Sequence, residues 1–304
     1  MSDDASTWGQ LWNATAARIG RPQARWMCEV ASGYDGDEFL DQLEAHATER
    51  GVAHLDAMLA RLDSGEPLQY VLGRWGFRHL DLMVDRRVLI PRPETETVVE
   101  VALRLARSMP RPIVCADVGT GSGAIGLSLA TELPFDGVTV WMTDRSSDAL
   151  DVARANAAGI GRAAANVRLA HGDWFDALPA ELVGSLDVVV SNPPYVAADD
   201  PQLESIVRDW EPAVALFAGA DGLDEIRRLS NEAPRWLQPG GWLVIEIGAA
   251  QGAPAAELLR LAGFADVEVS ADASGRDRVA VARRGPDALS SAGAGEADRD
   301  LAEE

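Results

Sequence analysis

From about residue 97 onward, short apolar runs alternate with amphipathic segments, and this alternation limits the fold more than any other feature of the sequence. The apolar runs are typical of strands buried on both faces, and the amphipathic segments have the period of helices. Strands joined by helices form a parallel sheet that helices cover on both sides. The sequence therefore predicts an α/β fold with a doubly wound, mostly parallel sheet. Its strands are predicted at 112–118, 138–144, 167–173, 186–192, 240–248, 266–271 and 278–284.

The part of the chain before residue 97 has a different pattern. Pro22 and Gly33 are typical of the start and the end of a helix, and a second helix has one apolar face formed by Leu55, Met58, Leu59 and Leu62. The next segment, 66–96, alternates apolar residues with glycines and predicts a hairpin. We therefore expect a helical N-terminal domain of about four helices (1–70), a hairpin linker (71–96), the α/β domain (97–284) and an acidic disordered tail (285–304).

Composition narrows the range of partners. The chain has 304 residues, a net charge of −21 and 27 basic residues, all of them arginine. Proteins that bind duplex nucleic acid gain affinity from basic residues that neutralise phosphates, so bulk nucleic-acid binding is not expected. No apolar run is long enough for a membrane span, no secretory signal is expected at the start, and the four histidines lack metal-ligand spacing. We expect a cytoplasmic monomer without a metal or a membrane partner, in which Cys115 is a small buried apolar residue.

A glycine loop at 119–123 follows the first strand of the α/β region and precedes a helix. Glycine allows a tight turn and a close approach of a ligand to the backbone. Three interpretations of the loop are possible: a turn without a ligand, a dinucleotide site or an S-adenosylmethionine site. A dinucleotide site has a different glycine spacing. Asp117, just before the loop, would repel pyrophosphate and suits a cationic amine and sulfonium, which favours S-adenosylmethionine. The predicted cofactor-binding residues are Gly119, Thr120, Gly121, Ser122, Gly123, Asp144, Asp173 and Trp174, to which the family resemblance described below adds Asn192.

The segment "SNPPYV" ends the predicted strand 186–192 with two consecutive prolines. Strands of an open α/β sheet carry their ligands at their carboxyl ends, so this segment and the glycine loop are expected to share one crevice. Asn192 can accept one N–H of a planar NH2 group, and the rigidly held carbonyl of Pro193 can accept the other. Such acceptors orient a weak nitrogen nucleophile towards a methyl sulfonium. Asn192, Pro193 and Tyr195 are therefore the predicted catalytic residues, and Asn192, Pro193, Pro194 and Tyr195 the predicted substrate-binding residues.

Four segments carry a resemblance to a known family. They are "EPLQYVLGRWGF…LIPRPETE", "SNPPYVAADDPQL", "EPAVALFAGADGL" and "DRVAVARR". From about residue 65 to residue 284 the chain resembles the peptide chain release factor N5-glutamine methyltransferases. The resemblance implies a class I S-adenosylmethionine-dependent methyltransferase fold. It also implies methyl transfer to the glutamine of the Gly-Gly-Gln motif in class I release factors, which modulates translation termination. The N-terminal helices and the hairpin would help to dock the release factor.

Other functions remain to be separated from this one. A ribosomal-protein glutamine methyltransferase or an adenine-N6 nucleic-acid methyltransferase would use the same Asn-Pro-Pro-Tyr segment, although the acidic charge argues against the latter. A cofactor-binding assembly protein and a nicotinamide oxidoreductase are further alternatives. Arg92, between two prolines, is interpreted either as a residue of the cleft entrance or as part of a hinge, and Glu211 as a cap of the substrate loop.

Overall fold

The computed structural model describes residues 6–201 and 203–286, so the predicted disordered tail lies outside the described residues except for its first two positions. The N-terminal region is helical. Thr7 and Gln10 form a reciprocal capping box at the first helix, and Gly33 ends the second in the left-handed conformation. The helices are α1 (Trp8–Ile19), α2 (Arg21–Ser32), α3 (Gly36–Asp41), α4 (Glu49–Asp63) and α5 (Leu68–Leu72).

The hairpin predicted for 66–96 is shorter than expected. Its first part forms helix α5, which follows Pro67 and ends at Gly73 in the left-handed conformation. Three consecutive residues of α5 are buried, so its apolar pattern comes from helix packing and not from a strand. The hairpin itself consists of two antiparallel strands, β1 (Arg74–Phe77) and β2 (Leu80–Met83).

The remaining elements form the α/β domain. Its helices are α6 (Thr95–Ser108), α7 (Ala124–Glu132), α8 (Ser147–Gly159), α9 (Ser205–Trp210), α10 (Asp224–Trp236) and α11 (Gly252–Leu261). Its strands are β3 (Ile113–Val118), β4 (Val138–Asp144), β5 (Val167–His171), β6 (Leu186–Ser191), β7 (Leu237–Glu246), β8 (Ala265–Ala271) and β9 (Asp277–Arg283). Short 3-10 turns occupy Gly161–Asn166, Trp174–Ala177, Ala180–Leu182 and Ala213–Ala215.

The sheet has the strand order β5-β4-β3-β6-β7-β9-β8. Strands β3 to β7 are parallel, and β9 runs antiparallel to both of its neighbours. The doubly wound, mostly parallel sheet predicted from the sequence is confirmed. After β3 the chain adds β4 and β5 on one side and then returns to add β6 on the other. This reversal places a topological switch point between the carboxyl ends of β3 and β6, where ligands bind in folds of this kind.

Both faces of the central strands are buried. In β6, Val188 and Val190 belong to one core cluster and Val189 to the other, which explains the continuous apolar run in the sequence. Cys115 of β3 is fully buried, and this burial raises the pKa of its thiol to about 12. In the described part of the chain, no helix is both long and apolar enough to cross a membrane, and no cluster of metal-ligating side chains is found.

Candidate active site

The glycine loop (119–123) connects the end of β3 to the start of α7 and is pinned to β4. The backbone N–H groups of its first two residues both donate to the carbonyl oxygen of Thr143, each at 2.9 Å. The N–H of Gly121 donates to Asp144 Oδ2, also at 2.9 Å. The three loop glycines have φ between 54° and 89°, a region that residues with a Cβ adopt at a cost. The backbone of the loop is therefore held in a single conformation against β4.

Asp117 lies directly behind this loop and is fully buried. Its Oδ2 accepts hydrogen bonds from the Thr120 hydroxyl at 2.5 Å and from the N–H of Gly126 at 2.8 Å. Its Oδ1 has no hydrogen-bond partner among the described residues. Burial raises the pKa of Asp117 to about 7, although the two hydrogen bonds act in the opposite direction. The loop thus has a buried carboxyl group behind it with one unused acceptor oxygen.

Asp144, at the end of β4, binds backbone N–H groups on both sides. Its Oδ2 receives the N–H of Gly121, and its Oδ1 receives the N–H of Ser146 at 2.8 Å. A carboxylate oxygen can accept a second hydrogen bond, so each oxygen keeps the capacity to bind a hydroxyl group of a ligand.

Asp173 and Trp174 follow β5. Asp173 Oδ2 pairs with Arg228 Nη1 at 2.5 Å, whereas its buried Oδ1 has no partner within the described part of the chain. Trp174 is 7% exposed and has a positive φ of 47°. Its Nε1 donates to Glu225 Oε2 at 2.9 Å, and its ring lies so close to Gly119 that a Cβ there would be 2.8 Å from Cζ3. The ring is therefore fixed against the glycine loop.

Asn192 follows β6, the strand beside β3. Its Nδ2 donates to Thr95 Oγ1 at 3.2 Å, and the Thr95 hydroxyl donates to Glu246 Oε2 at 2.6 Å. Tyr195 also donates its hydroxyl to this carboxylate, to Oε1 at 3.2 Å. Burial raises the pKa of Glu246 to about 7, against the effect of the Thr95 hydrogen bond. Burial, followed by the charge of Glu246, raises the pKa of Tyr195 above its usual value.

The chain leaves this segment along a fixed path. Gln251 Nε2 donates to the carbonyl oxygens of Tyr195 and Gly222, at 3.0 and 3.1 Å. Gly222 has a φ of 72°, and a Cβ there would lie 2.4 Å from the Tyr195 carbonyl oxygen, so only glycine fits. The N–H of Val196 donates to the carbonyl of Leu216 at 2.9 Å. These contacts hold the Asn-Pro-Pro-Tyr segment from its carboxyl side.

One cleft at the carboxyl ends of β3 to β6 joins most of these residues, and with its open mouth it encloses ≈ 930 Å³. The predicted site residues that line it are Gly119, Thr120, Gly121, Ser122, Asp144, Asp173, Trp174, Asn192 and Pro194. Gly123, Pro193 and Tyr195 do not belong to its lining. Gly123 instead packs closely on α7, since a Cβ there would lie 2.9 Å from Leu127 Cδ1. Tyr195 packs against the core with its hydroxyl at Glu246.

Two family models match the chain. Residues 15–73 match the PrmC N-terminal domain, and residues 103–209 match the methyltransferase small domain. A release factor glutamine methyltransferase of Xylella fastidiosa (strain 9a5c) is 46% identical over 242 residues, which cover 79% of this chain and 83% of that protein. This chain belongs to the release factor glutamine methyltransferase family.

Other relatives of this chain agree with that family assignment. The release factor glutamine methyltransferase of Geobacter sulfurreducens is 37% identical over 266 residues, covering 87% of this chain and 90% of that protein. Among solved structures, the catalytic domain of hMettl16 matches with a TM-score of 0.52 and 18% identity, over 78% of this chain and 82% of that one. This last likeness concerns the fold alone.

Some residues of this family member's cleft were not predicted from its sequence. Thr95 and Glu225 line the cleft, and Glu246 is buried behind it. Glu246 ends an apolar strand, and a lone acid in such a run was the available signal. Arg92 does not line the cleft; it pairs with Glu211, a buried residue that also accepts the N–H of Ile90 at 3.0 Å. Glu211 therefore fixes the segment before α6 rather than only the substrate loop.

Proposed function

We propose that this protein transfers a methyl group from S-adenosylmethionine to the side-chain amide nitrogen of the glutamine in the Gly-Gly-Gln motif of class I peptide chain release factors, and so modulates translation termination. The names of its relatives, 46% and 37% identical, support this substrate. The observation that carries the proposal is that Asn192 and the glycine loop border one cleft at the switch point of the sheet.

The donor set of the cleft fits S-adenosylmethionine. The unused Oδ1 of Asp173 suits an amino group such as that of adenine, and the ring of Trp174 offers a flat surface to cover it. Asp144 can accept hydrogen bonds from ribose hydroxyls on its remaining lone pairs. Asp117, behind the loop, places negative charge near the position of a cationic amine and sulfonium. A dinucleotide would instead bring its pyrophosphate against these carboxylates, which is unfavourable.

The amide nitrogen of glutamine is a weak nucleophile because its lone pair is delocalised. The chain's contribution is to orient it: Asn192, which lines the cleft, would accept one N–H through Oδ1. Pro193 does not line the cleft, although its carbonyl accepts no hydrogen bond from the described residues, so its role as the second acceptor remains a prediction from the sequence. When bound, S-adenosylmethionine would supply a methyl group on a positively charged sulfur, which keeps the electron pair of the broken S–C bond as the N–C bond forms. One N–H proton then leaves to water. Fixed acceptors favour the positive charge that develops on nitrogen.

The test is transfer of labelled methyl from S-adenosylmethionine to a purified class I release factor, with mass spectrometry to locate the modified residue. We expect the label on the glutamine of the Gly-Gly-Gln motif and its loss when that glutamine is changed to alanine. Asn192→Ala should lower the rate by about a hundredfold, the typical effect of losing one orienting contact. Asn231→Ala, at an exposed position of α10, is the matched control and should leave the rate unchanged.

Methylation that survives loss of the motif glutamine would contradict the release-factor substrate. Transfer to a ribosomal protein in preference to the release factor, or to bare DNA or RNA, would identify one of the alternative methyltransferases. Equal rates for the Asn192 and Asn231 variants would contradict the orienting role of Asn192.

A further inference from the structure

Glu246, the last residue of β7, has a buried carboxylate that accepts hydrogen bonds from two hydroxyl groups of the candidate active site. It is 1% exposed, and its two oxygens receive the hydroxyls of Thr95 and Tyr195. Within the described chain, no arginine forms an ion pair with it. Arg278, the cation whose charge acts on it, instead pairs with Asp272 at 3.4 Å and donates to the Ile247 carbonyl at 3.2 Å. Burying a carboxylate without a cationic partner is costly, so its contacts with the site call for an explanation.

The hydrogen bonds between Glu246 and Asn192 run in one direction only. An ionised carboxylate can only accept, so the single proton of the Thr95 hydroxyl goes to Glu246. Thr95 Oγ1 is then left as an acceptor towards Asn192, and only the NH2 side of an amide can donate to it. The distances are 2.6 Å from Thr95 Oγ1 to Glu246 and 3.2 Å from Asn192 Nδ2 to Thr95 Oγ1. This chain of contacts therefore decides which end of the Asn192 amide faces Thr95.

We propose that Thr95 and Glu246 are positioning residues that fix the orientation of the Asn192 amide, so that its Oδ1 is the atom offered to the N–H of the substrate amide. If the Asn192 side chain turned over, Oδ1 would face a Thr95 oxygen that has no proton to give. Two acceptors would then oppose each other in a partly buried contact, which is unfavourable. The NH2 group would also face the substrate and repel its N–H. This inference rests on the proposed methylation of a carboxamide.

The three groups are held by separate rigid elements. Thr95 is the first residue of α6 and is 3% exposed, and its N–H donates to the carbonyl of Arg92 at 3.1 Å. Glu246 ends β7, which pairs with β6 up to Ser191, the residue before Asn192. The arrangement is therefore fixed by the sheet and by the N-terminus of α6, not by the loop alone.

Thr95→Val separates a positioning role from a packing role, because valine has nearly the shape of threonine without the hydroxyl. Thr95→Ser keeps the hydroxyl and loses a methyl group. We would measure methylation kinetics of the release factor, affinity for S-adenosylmethionine by calorimetry, and unfolding by urea. The assays are set at about pH 8, above the pKa of about 7 of Glu246. We expect Thr95→Val to lower kcat by about tenfold to a hundredfold and Thr95→Ser to stay within about threefold of the wild type.

A direct readout does not depend on activity. The side-chain NH2 signals of Asn192 in a ¹⁵N-labelled sample report its hydrogen bond to Thr95. We expect slow solvent exchange of one NH2 proton in the wild type and in Thr95→Ser, and faster exchange in Thr95→Val. If Thr95→Val does not fold, Thr95→Val/Glu246→Met removes the hydroxyl together with the carboxylate, so no buried charge is left unpaired, and the same losses are expected.

Wild-type kcat and unchanged Asn192 signals in Thr95→Val would overturn the inference. So would an equal loss of kcat in the serine and valine variants, since size and not the hydroxyl would then matter. If the wild-type protein methylates no release factor, the proposed function fails, and the Asn192 signals alone then decide whether the contacts fix the amide.

Discussion

Replacing Gly119 by alanine tests whether the Trp174 ring is fixed against the glycine loop. Gly121 supplies a matched control, because both residues have a positive φ, 77° and 54°, and both belong to the same loop. They differ in their surroundings. A Cβ at Gly119 would lie 2.8 Å from Trp174 Cζ3, whereas a Cβ at Gly121 would meet nothing within 4 Å. The difference between the two alanine variants therefore isolates the contact with the ring.

The expected magnitudes follow from this geometry. An alanine in the left-handed region costs about 1 to 2 kcal/mol at either position. At Gly119 the ring must also move by 0.6 Å, the difference between 2.8 Å and the 3.4 Å at which ordinary contact begins. Overpacking of this kind costs about 1 to 3 kcal/mol more. We expect Gly119→Ala to lower the free energy of unfolding by about 2 to 5 kcal/mol and Gly121→Ala by about 1 to 2 kcal/mol.

Urea denaturation followed by tryptophan fluorescence measures both values, and calorimetric titration with S-adenosylmethionine measures the effect on the cleft. We expect Gly119→Ala to weaken binding more than Gly121→Ala, because only the former displaces the ring. Equal losses of stability in the two variants would refute the reasoning, since the contact with Trp174 would then carry no cost.

Two further predictions concern buried carboxylates. The pKa of Glu246 is about 7 against an ordinary 4.5, so between these pH values the folded state binds more protons than the unfolded state, and stability falls as pH rises. In the wild type, this group should lower the free energy of unfolding by about 3 kcal/mol between about pH 5 and about pH 8, and Glu246→Gln should abolish that decrease. Urea denaturation across this pH range measures the effect. A pH profile unchanged by the substitution would contradict the prediction. Arg92→Ala should destabilise the protein by about 3 kcal/mol, because it leaves the buried Glu211 carboxylate without its cation. Adding Glu211→Gln should recover part of that loss in the same measurement, and strictly additive losses would show that the two side chains are not coupled.

The fold could be predicted from the sequence wherever local pattern and burial agree. The strand predicted at 138–144 has the observed bounds, because each of its ends is marked by a clear change in polarity. The strand predicted at 240–248 begins three residues earlier, at Leu237, and ends at Glu246. Two glycines and a proline in this stretch hide its start, and its register with β6 shifts there, between Leu186 and Val188. Such an irregularity depends on the neighbouring strand and has no local signal.

The candidate site was predictable in its backbone parts and not in its buried polar contacts. Glycine and proline report conformation directly, so the residues of the loop at 119–123 and of the Asn-Pro-Pro-Tyr segment stand out in the sequence. Thr95 and Glu246 are 151 positions apart and meet only because α6 begins beside the end of β7. A threonine at a helix start and an acid after a strand are common, and only the fold brings them together. Polar pairs of this kind become visible only in the three-dimensional structure.

The site uses one arrangement twice. Behind the glycine loop, Asp117 accepts the hydroxyl of Thr120, and behind the Asn-Pro-Pro-Tyr segment, Glu246 accepts the hydroxyl of Thr95. Burial raises the pKa of each carboxyl to about 7, so at neutral pH each costs the folded state about 3 to 4 kcal/mol. Apolar residues of similar size would remove that cost, but they could not direct a hydroxyl proton. The two carboxyls lie on β3 and β7, the strands on either side of β6, and their burial cost is what the fold gives up to hold two ligand-facing segments in one orientation.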